Sequence, residues 1–468
     1  MTGFGEAPEG PEDVDVAAVP GIVAAARAAL PGWRNAAPHA RADVLRRAAL
    51  LVRERLEELA RPHARESGKV IGQARGEVRG AARLLEVNAE LGRTWAGTLA
   101  PTGALPGGER DLTLVERVPV GVVVAVIPFN FPIELTVEKA AAALATGNVV
   151  IVKPPPQNPR ATMALCALLK EAGLPDDVLQ VVPGGTEVSA ALCAAPGVDA
   201  VSLTGSVGAG VAVARATAHL LRPLHLELGG NGAALVLPDA DLDLVVAETL
   251  RGRLLMNGQA CAATKRLLAH RSVAAELTGR LEAALADVLP IDPLDEEARL
   301  SHLIDASSAA RVAAQTGRIV AEGGRLVLGA AEADGPWFPP ALLTDVPARA
   351  AVAVDDEIFG PVFPVIPVAS EAEAVAVANA SALRLTAAVF SADLARALSV
   401  AQQLDFGGVV VNGTNNYRPP VVPFGGVGLA GAGREGDGYT IEEMTRTRFL
   451  ALRGIRPAAV PLPPLGAV

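Results

Sequence analysis

Val122-Val123-Val124-Ala125-Val126-Ile127-Pro128-Phe129-Asn130-Phe131-Pro132 is the stretch on which the fold turns. Its first six residues are all apolar and, but for Ala125, β-branched, the pattern of a strand buried on both faces. Two prolines around Phe129-Asn130-Phe131 then end it. A helix is expected from about Glu134 to Thr146, then a second apolar strand from Asn148 to Lys153. The alternation continues through helix 161–172, strand 178–182, helix 188–194, strand 200–203, helix 208–220 and strand 224–228. Apolar strands alternating with helices specify an α/β fold, a parallel sheet covered on both faces. Ligands of such sheets lie outside the carboxyl ends of the strands. Three of those ends carry unusual residues: Pro128-Phe129-Asn130, Lys153-Pro154 and Thr204-Gly205-Ser206. They are expected to face one crevice. The last opens Gly205-Ser206-Val207-Gly208-Ala209-Gly210, where glycines let backbone amides approach a phosphate at a helix N-terminus. It is not the G-x-G-x-x-G fingerprint, and alone it says little.

Upstream, residues 17–60 read as mainly helical, with a stripe at Val44, Leu45, Ala48, Leu51, Val52 and Leu56, and a further helix runs from about Val70 to Trp95. The Pro- and Gly-rich segment from Pro101 to Glu109 is a break. Asp111 to Val118 partly alternates, as a strand with one exposed face does, and suits half of a hairpin standing off the body. Downstream of Gly230 a second α/β unit begins. Strands are expected at 233–237, 267–270, 385–390 and 408–412, with an apolar segment at 362–368, and helices at 239–255, 274–288, 307–322 and 371–380.

Composition excludes several classes. The net charge of −10 leaves no basic footprint for nucleic acid. Met1 to Val16 is acidic and lacks the basic start and apolar core of a signal peptide. The most apolar run, Val118 to Leu135, is interrupted by three prolines and an asparagine, so no membrane span is expected there. Three cysteines, Cys166, Cys193 and Cys261, make no disulfide framework and suit a reducing cytoplasm. Pro457 to Pro464 should be extended. Lysine is scarce, at Lys69, Lys139, Lys153, Lys170 and Lys265 alone, so each one in a motif is notable.

Cys261 follows Gly258-Gln259-Ala260, and Glu227-Leu228-Gly229-Gly230-Asn231 lies thirty-four residues before it. A lone cysteine is ordinarily a small buried hydrophobe. Its company argues otherwise. Together with Pro128 to Pro132, Thr146-Gly147-Asn148 through Lys153-Pro154, Leu203 to Ser206, Glu357-Ile358-Phe359-Gly360-Pro361, and Pro423-Phe424-Gly425-Gly426 with Gly433-Arg434-Glu435, these motifs resemble those of the aldehyde dehydrogenase superfamily, in family order over nearly the whole chain. The resemblance implies a Rossmann-like cofactor domain from residues 1–100 and 119–229, a catalytic domain at 230–435, and a β-arm for oligomerisation at 101–118 and 440–456, followed by a Pro-rich tail at 457–468. It implies a homodimer or homotetramer and NAD or NADP as cofactor. No metal is implied.

The same resemblance assigns roles. Cys261 is the nucleophile that forms a thiohemiacetal and then a thioester, and the Asn130 amide with the Cys261 backbone N–H holds the oxyanion. Glu227 is the general base for hydrolysis, and Lys139 helps relay the proton. Lys153, Gly205, Ser206, Gly210, Leu228, Gly229, Ile127 and Pro128 belong to the cofactor site. Glu357 would bind the nicotinamide ribose, and Phe359 would pack nearby. Departures bear on specificity. Pro156 stands where NAD-preferring members carry a glutamate, which leaves room for the 2′-phosphate of NADP; Gly428 and Ala430 replace a usual lysine and serine. Arg418 stands at a position that is commonly aromatic, where an arginine would hold a carboxylate, phosphate or phosphonate on a small aldehyde. Arg418 resembles the branch acting on lactaldehyde, glyceraldehyde phosphate or phosphonoacetaldehyde, although Phe131 stands where the phosphonate reading expects histidine. Two other readings stay open at this stage: a catalytically silent binding member, and a coenzyme A-acylating enzyme, in which the Glu227 carboxylate is often missing.

Overall fold

A computed structural model describes residues 11–457. The Pro-rich tail therefore lies, beyond Pro457, outside the described residues, as does the start of the acidic N-terminal stretch.

The stretch from Val122 behaves as its sequence dictates. Val122–Val126 is a strand with Val122 to Ala125 fully buried, paired in parallel with Val149–Lys153 on one side and Ala200–Thr204 on the other. The sheet continues to Leu179–Val181 beyond the first neighbour and to Leu224–Glu227 beyond the second, with Gly431–Ala432 adding an antiparallel edge. The chain thus builds outward from Val122–Val126 in one direction, then returns and builds in the other. At such a reversal the two connecting helices leave on opposite faces and a crevice opens at the strand ends. The Ile127-to-Phe131 loop leaves from that point.

A second, seven-stranded sheet centres on Ala233–Val236, parallel to Arg266–His270 and Thr386–Phe390. It extends to Gly408–Val411 on one side and through Val362–Val368 to Ala341–Thr344 and Arg325–Leu328 on the other. The last two strands were not expected from the sequence. Each has four residues, Arg325–Leu328 is nowhere fully buried, and Pro339, Pro340 and Pro347 surround Ala341–Thr344, so neither carries a strand-length pattern. A third sheet is the arm: Leu112–Pro119 pairs antiparallel with Thr98–Ala100 and, over its full length, with Thr445–Leu452.

The N-terminal helices Val19–Asn35, Pro38–Glu54, Leu56–Ser67 and Ile71–Thr94 pack around the first sheet. The segment Val16–Asn35 has the length and apolarity of a membrane span, but Val19, Val23, Ala26 and Trp33 are buried in the core, and the Trp33 indole N–H donates to the Leu144 carbonyl at 3.0 Å.

One buried polar cluster ties these helices to the Asn130 loop. Glu77 accepts from the backbone N–H groups of Ile133 (2.8 Å) and Glu134 (3.2 Å), which open the helix Pro132–Ala145. Its other oxygen takes Lys69 Nζ and His63 Nε2. Burial raises the Glu77 carboxyl, but Lys69 and His63 outweigh it and hold it at about 2. The Glu77 stabilisation is thus full above its unfolded value of 4.5 and is lost as pH falls towards 2. Glu77→Ala would strand a buried ammonium and two helix amides. It is expected to cost about 3–5 kcal/mol, read as a lower denaturant midpoint at unchanged slope.

Candidate active site

The turn that carries Cys261 is held in a costly conformation. Met256 and Asn257 both have positive φ (51° and 56°), and Gly258 follows at 80°. A left-handed non-glycine residue costs about 1–2 kcal/mol, and such strain persists only where the surroundings fix it. Here they do. Asn257 Nδ2 donates to the carbonyls of Gly68 (2.8 Å) and His302 (2.9 Å), and its Oδ1 accepts from Ser301 N–H at 2.9 Å. Gly258 lies against the Gly360–Pro361 backbone, where a Cβ would fall 2.2 Å from the Gly360 oxygen, so no other residue fits. Gln259 accepts from Ile304 N–H through Oε1 at 3.1 Å. The two turns of sequence, Asn257-Gly258-Gln259 and Gly360-Pro361, therefore read as one packing unit.

From this turn the Cys261 side chain faces a cavity of about 670 Å³ that follows the strand ends of the first sheet. Cys261, Glu227, Asn130, Lys153, Gly205, Ser206, Leu228, Gly229, Ile127, Pro128, Glu357, Phe359, Phe131 and Arg418 all line it. Two sequence candidates do not. Gly210 is buried against Leu228, whose methyl carbons a Cβ there would approach to 2.6 Å, so it packs its helix on that side chain and does not face the cavity. Lys139 is not the surface lysine its helix would suggest; it is buried behind the wall and ion-paired to Glu435.

Asn130 Nδ2 donates to the Gln259 carbonyl at 2.9 Å, and its Oδ1 accepts from Phe131 N–H at 3.1 Å. The amide is thereby fixed beside the cysteine turn with one N–H left over. The Cys261 N–H has no protein acceptor among the described residues. Burial, and next the Glu227 charge, push the Cys261 thiol up to about 12, against the pull of Lys265 and Arg418. Glu227 ends its strand opposite Thr204 and Gly431, and neither carboxyl oxygen has a hydrogen-bond partner. Burial and then the Glu435 charge push its carboxyl well above the usual range, opposed by Lys139, Arg418 and Arg434. Glu435 itself stays ionised, because Lys139 and Arg418 outweigh its burial. An unpaired, buried, proton-holding carboxyl facing a cavity is the signature of a proton-transfer group.

Further along, the cavity suits a dinucleotide. Ser206 caps the helix Val207–Thr217 through its Oγ on Ala209 N–H, and the amides of Val207 and Gly208 at the helix start have no acceptor among the described residues. Lys153 ends the strand two over from theirs, beyond Val122–Val126, its ammonium lowered by burial to about 8 and supported by Asp13. Gly229 offers bare backbone next to Glu357, and any Cβ there would strike Glu357 Oε2 at 2.2 Å. Glu357 Oε1 is taken by Lys265 Nζ (2.7 Å) and Gly230 N–H (3.2 Å). Lys265 escaped the sequence reading, although its rarity was a signal.

At the other end, the Arg418 guanidinium lies 4.0 Å over the Phe424 ring and reaches Glu435 at 3.4 Å and Glu138 at 3.9 Å. Glu134 shares this wall, its carboxyl raised to about 7 by burial and then by Glu77. Glu134 and Glu138 were not singled out in the sequence, where both read as helix carboxylates.

The comparisons agree with this geometry. Residues 9–450 match the model described as "Aldehyde dehydrogenase family". The glutarate-semialdehyde dehydrogenase of Pseudomonas aeruginosa is 36% identical over 438 residues, covering 92% of this chain and 89% of that protein. The benzaldehyde dehydrogenase [NAD(+)] of Pseudomonas putida is 36% identical over 443 residues, covering 94% and 89%. Among solved structures, the NADP-dependent glyceraldehyde-3-phosphate dehydrogenase from Bacillus halodurans C-125 complexed with NADP superimposes with a TM-score of 0.91 at 32% identity, over 94% of this chain and 92% of that one. With a cysteine, a carboxyl and a dinucleotide crevice meeting in one cavity, and relatives matched over nearly their full length, the chain belongs to the aldehyde dehydrogenase family and oxidises aldehydes with NAD or NADP.

Proposed function

We propose that Cys261, Asn130 and Glu227 carry the reaction. The observation that supports this most directly is the Asn130 amide bonded to the carbonyl two residues before Cys261, with Glu227 unpaired in the same cavity. The Cys261 sulfur adds to the aldehyde carbon, and its proton leaves to a neighbouring base. The free Asn130 N–H and the Cys261 N–H stabilise the oxyanion; one such donor is worth about 3–4 kcal/mol. Lys153, Ser206 and the Gly205 turn would hold the adenosine and pyrophosphate side of the cofactor, with Glu357 and Phe359 towards the nicotinamide. Bound nicotinamide supplies the hydride acceptor. Glu227 then takes a proton from water as that water attacks the thioester, and the Lys139–Glu435 pair behind it balances the charge that moves.

The preferred substrate is a small aldehyde with an anionic far end, held by Arg418. Its 3.4 and 3.9 Å contacts to glutamates are long for ion pairs and leave donors for a ligand. The glutarate-semialdehyde and glyceraldehyde-phosphate relatives act on such compounds, whereas the benzaldehyde enzyme marks the neutral alternative. The exposed Leu99, Leu114, Phe449 and Leu450 of the arm support a dimer or tetramer, and the three free cysteines support a cytoplasmic setting.

The test is turnover of an aldehyde panel with each cofactor, followed by absorbance of the reduced nicotinamide, with and without coenzyme A. Arg418→Leu is expected to raise KM for glutaric semialdehyde on the order of ten- to a hundredfold and to leave propanal nearly unchanged. Equal changes for both would remove Arg418 from substrate binding, and stimulation by coenzyme A would favour the acylating chemistry.

A further inference from the structure

Lys265 is four residues beyond Cys261 and its side chain is wholly inaccessible. Its ammonium bonds Glu357 Oε1 at 2.7 Å and stands 4.5 Å over the Phe359 ring. Burying a lone ammonium costs several kcal/mol, so an ordinary core position here would be apolar. We propose that Lys265 is a positioning residue: it fixes Glu357 with one carboxylate oxygen turned to the cofactor cavity, and it is the internal cation against which the Cys261 thiolate forms. The proposal rests on the reading of Cys261 as nucleophile and Glu357 as cofactor ligand.

Geometry supports the first part directly and places the second: Gly230, whose N–H shares Glu357 Oε1 with Lys265, lies against the Cys261 carbonyl, which a Cβ there would approach to 2.7 Å. With Lys265 and Gly230 N–H on Oε1, only Oε2 remains for a ligand, and it lies beside the bare Gly229 backbone. The groups whose charge acts on Cys261 are Glu357 and, once ionised, Glu227, which disfavour the thiolate, and Lys265 and Arg418, which favour it. Arg418 is already shared among Glu138 and Glu435, whereas Lys265 has one carboxylate partner. Burial lowers the Lys265 ammonium, and Glu357 opposes that; the neighbouring Arg253, bonded to the carbonyls of Val362 (2.7 Å) and Ile358 (3.1 Å), lowers it further.

The experiment is the pH dependence of Cys261 alkylation by iodoacetamide in the cofactor-free enzyme, read by mass spectrometry, beside calorimetric titration with NAD and NADP. Cys166 and Cys193 are buried, so native-state alkylation reports Cys261. Lys265→Met should move the alkylation midpoint up by about one pH unit and weaken cofactor binding on the order of tenfold. Glu357→Gln should weaken the cofactor similarly but move the midpoint down, because it removes a negative charge. Lys265→Gln, which keeps a donor towards Glu357, carries the test if Lys265→Met does not stay folded. Midpoints that do not move, or that move the same way in the Lys265 and Glu357 variants, overturn the proposal, as does cofactor affinity within twofold of wild type in Lys265→Met; in Lys265→Gln the midpoint alone is decisive. Failure of the underlying reading shows separately, as turnover that survives Cys261→Ala.

Discussion

Cys261→Ala is expected to abolish reduction of NAD or NADP by any aldehyde, a loss of roughly 10⁶-fold, the scale reached when a covalent nucleophile is deleted. An aldehyde hydrogen does not leave as hydride while the carbonyl is intact. The sulfur adduct converts that carbonyl to an oxyanion; the other nucleophilic groups on the cavity wall are the hydroxyls of Thr204, Ser206 and Ser308, with Ser206 engaged at a helix cap, and the Lys153 amine, whose addition to an aldehyde leads on to an imine and not to a thioester. The turn should survive the change. Its conformation is set by Asn257, Gly258 and Gln259, and the thiol contributes only a minor contact to the small cluster of Ala262, Leu385, Phe424 and Ala430. Cofactor binding by calorimetry should therefore be retained. Turnover that survives the substitution would transfer the chemistry to another group.

Glu227→Gln is expected to separate the two halves of the reaction. One equivalent of reduced cofactor per site should appear in a burst, after which turnover stalls as the thioester on Cys261 waits for hydrolysis. The steady rate should fall by about 10²–10⁴-fold, the usual worth of a positioned base. In the unaltered enzyme the raised Glu227 carboxyl predicts a further effect. Below its midpoint the group is protonated and cannot take a proton from water, so the hydrolytic step should accelerate as pH rises through that midpoint and then level off. The Gln variant should lose that rise. Burst size is read by rapid-mixing absorbance and the acyl-enzyme by intact mass; a variant with no burst and no acyl-enzyme would place Glu227 before the thioester.

What could be read from the sequence divides by the range of the forces involved. The parallel sheet was legible because strands such as Val122–Val126 and Val149–Lys153 are apolar at every position, a local signal with one meaning. Placement of Asn130, Lys153 and Ser206 on one crevice followed from their positions at strand ends. Thr445–Leu452 was legible as the arm partner only through family resemblance, since its own composition is a mixture of Arg, Thr and Leu. The partners of Arg418, by contrast, come from helix 132–145 and from residue 435, and no spacing announces that Glu138 and Glu435 meet there. Gly210 looked like part of a phosphate turn because it closes a glycine-rich run, yet it packs against Leu228 and does not line the cavity. Nothing in the spacing around Lys139 told a relay lysine from a helix-surface one; the helix Pro132–Ala145 proves to be buried almost throughout, and Lys139 with it.

The hydrogen bond from Asn130 to the Gln259 carbonyl joins a loop of the first sheet to a turn that belongs to the second. The donor and the nucleophile are thus carried by separate halves of the chain, and neither half holds a complete oxyanion site. The seam between the halves is therefore part of the proposed catalyst, and a substitution that loosens it would lower turnover without touching either residue.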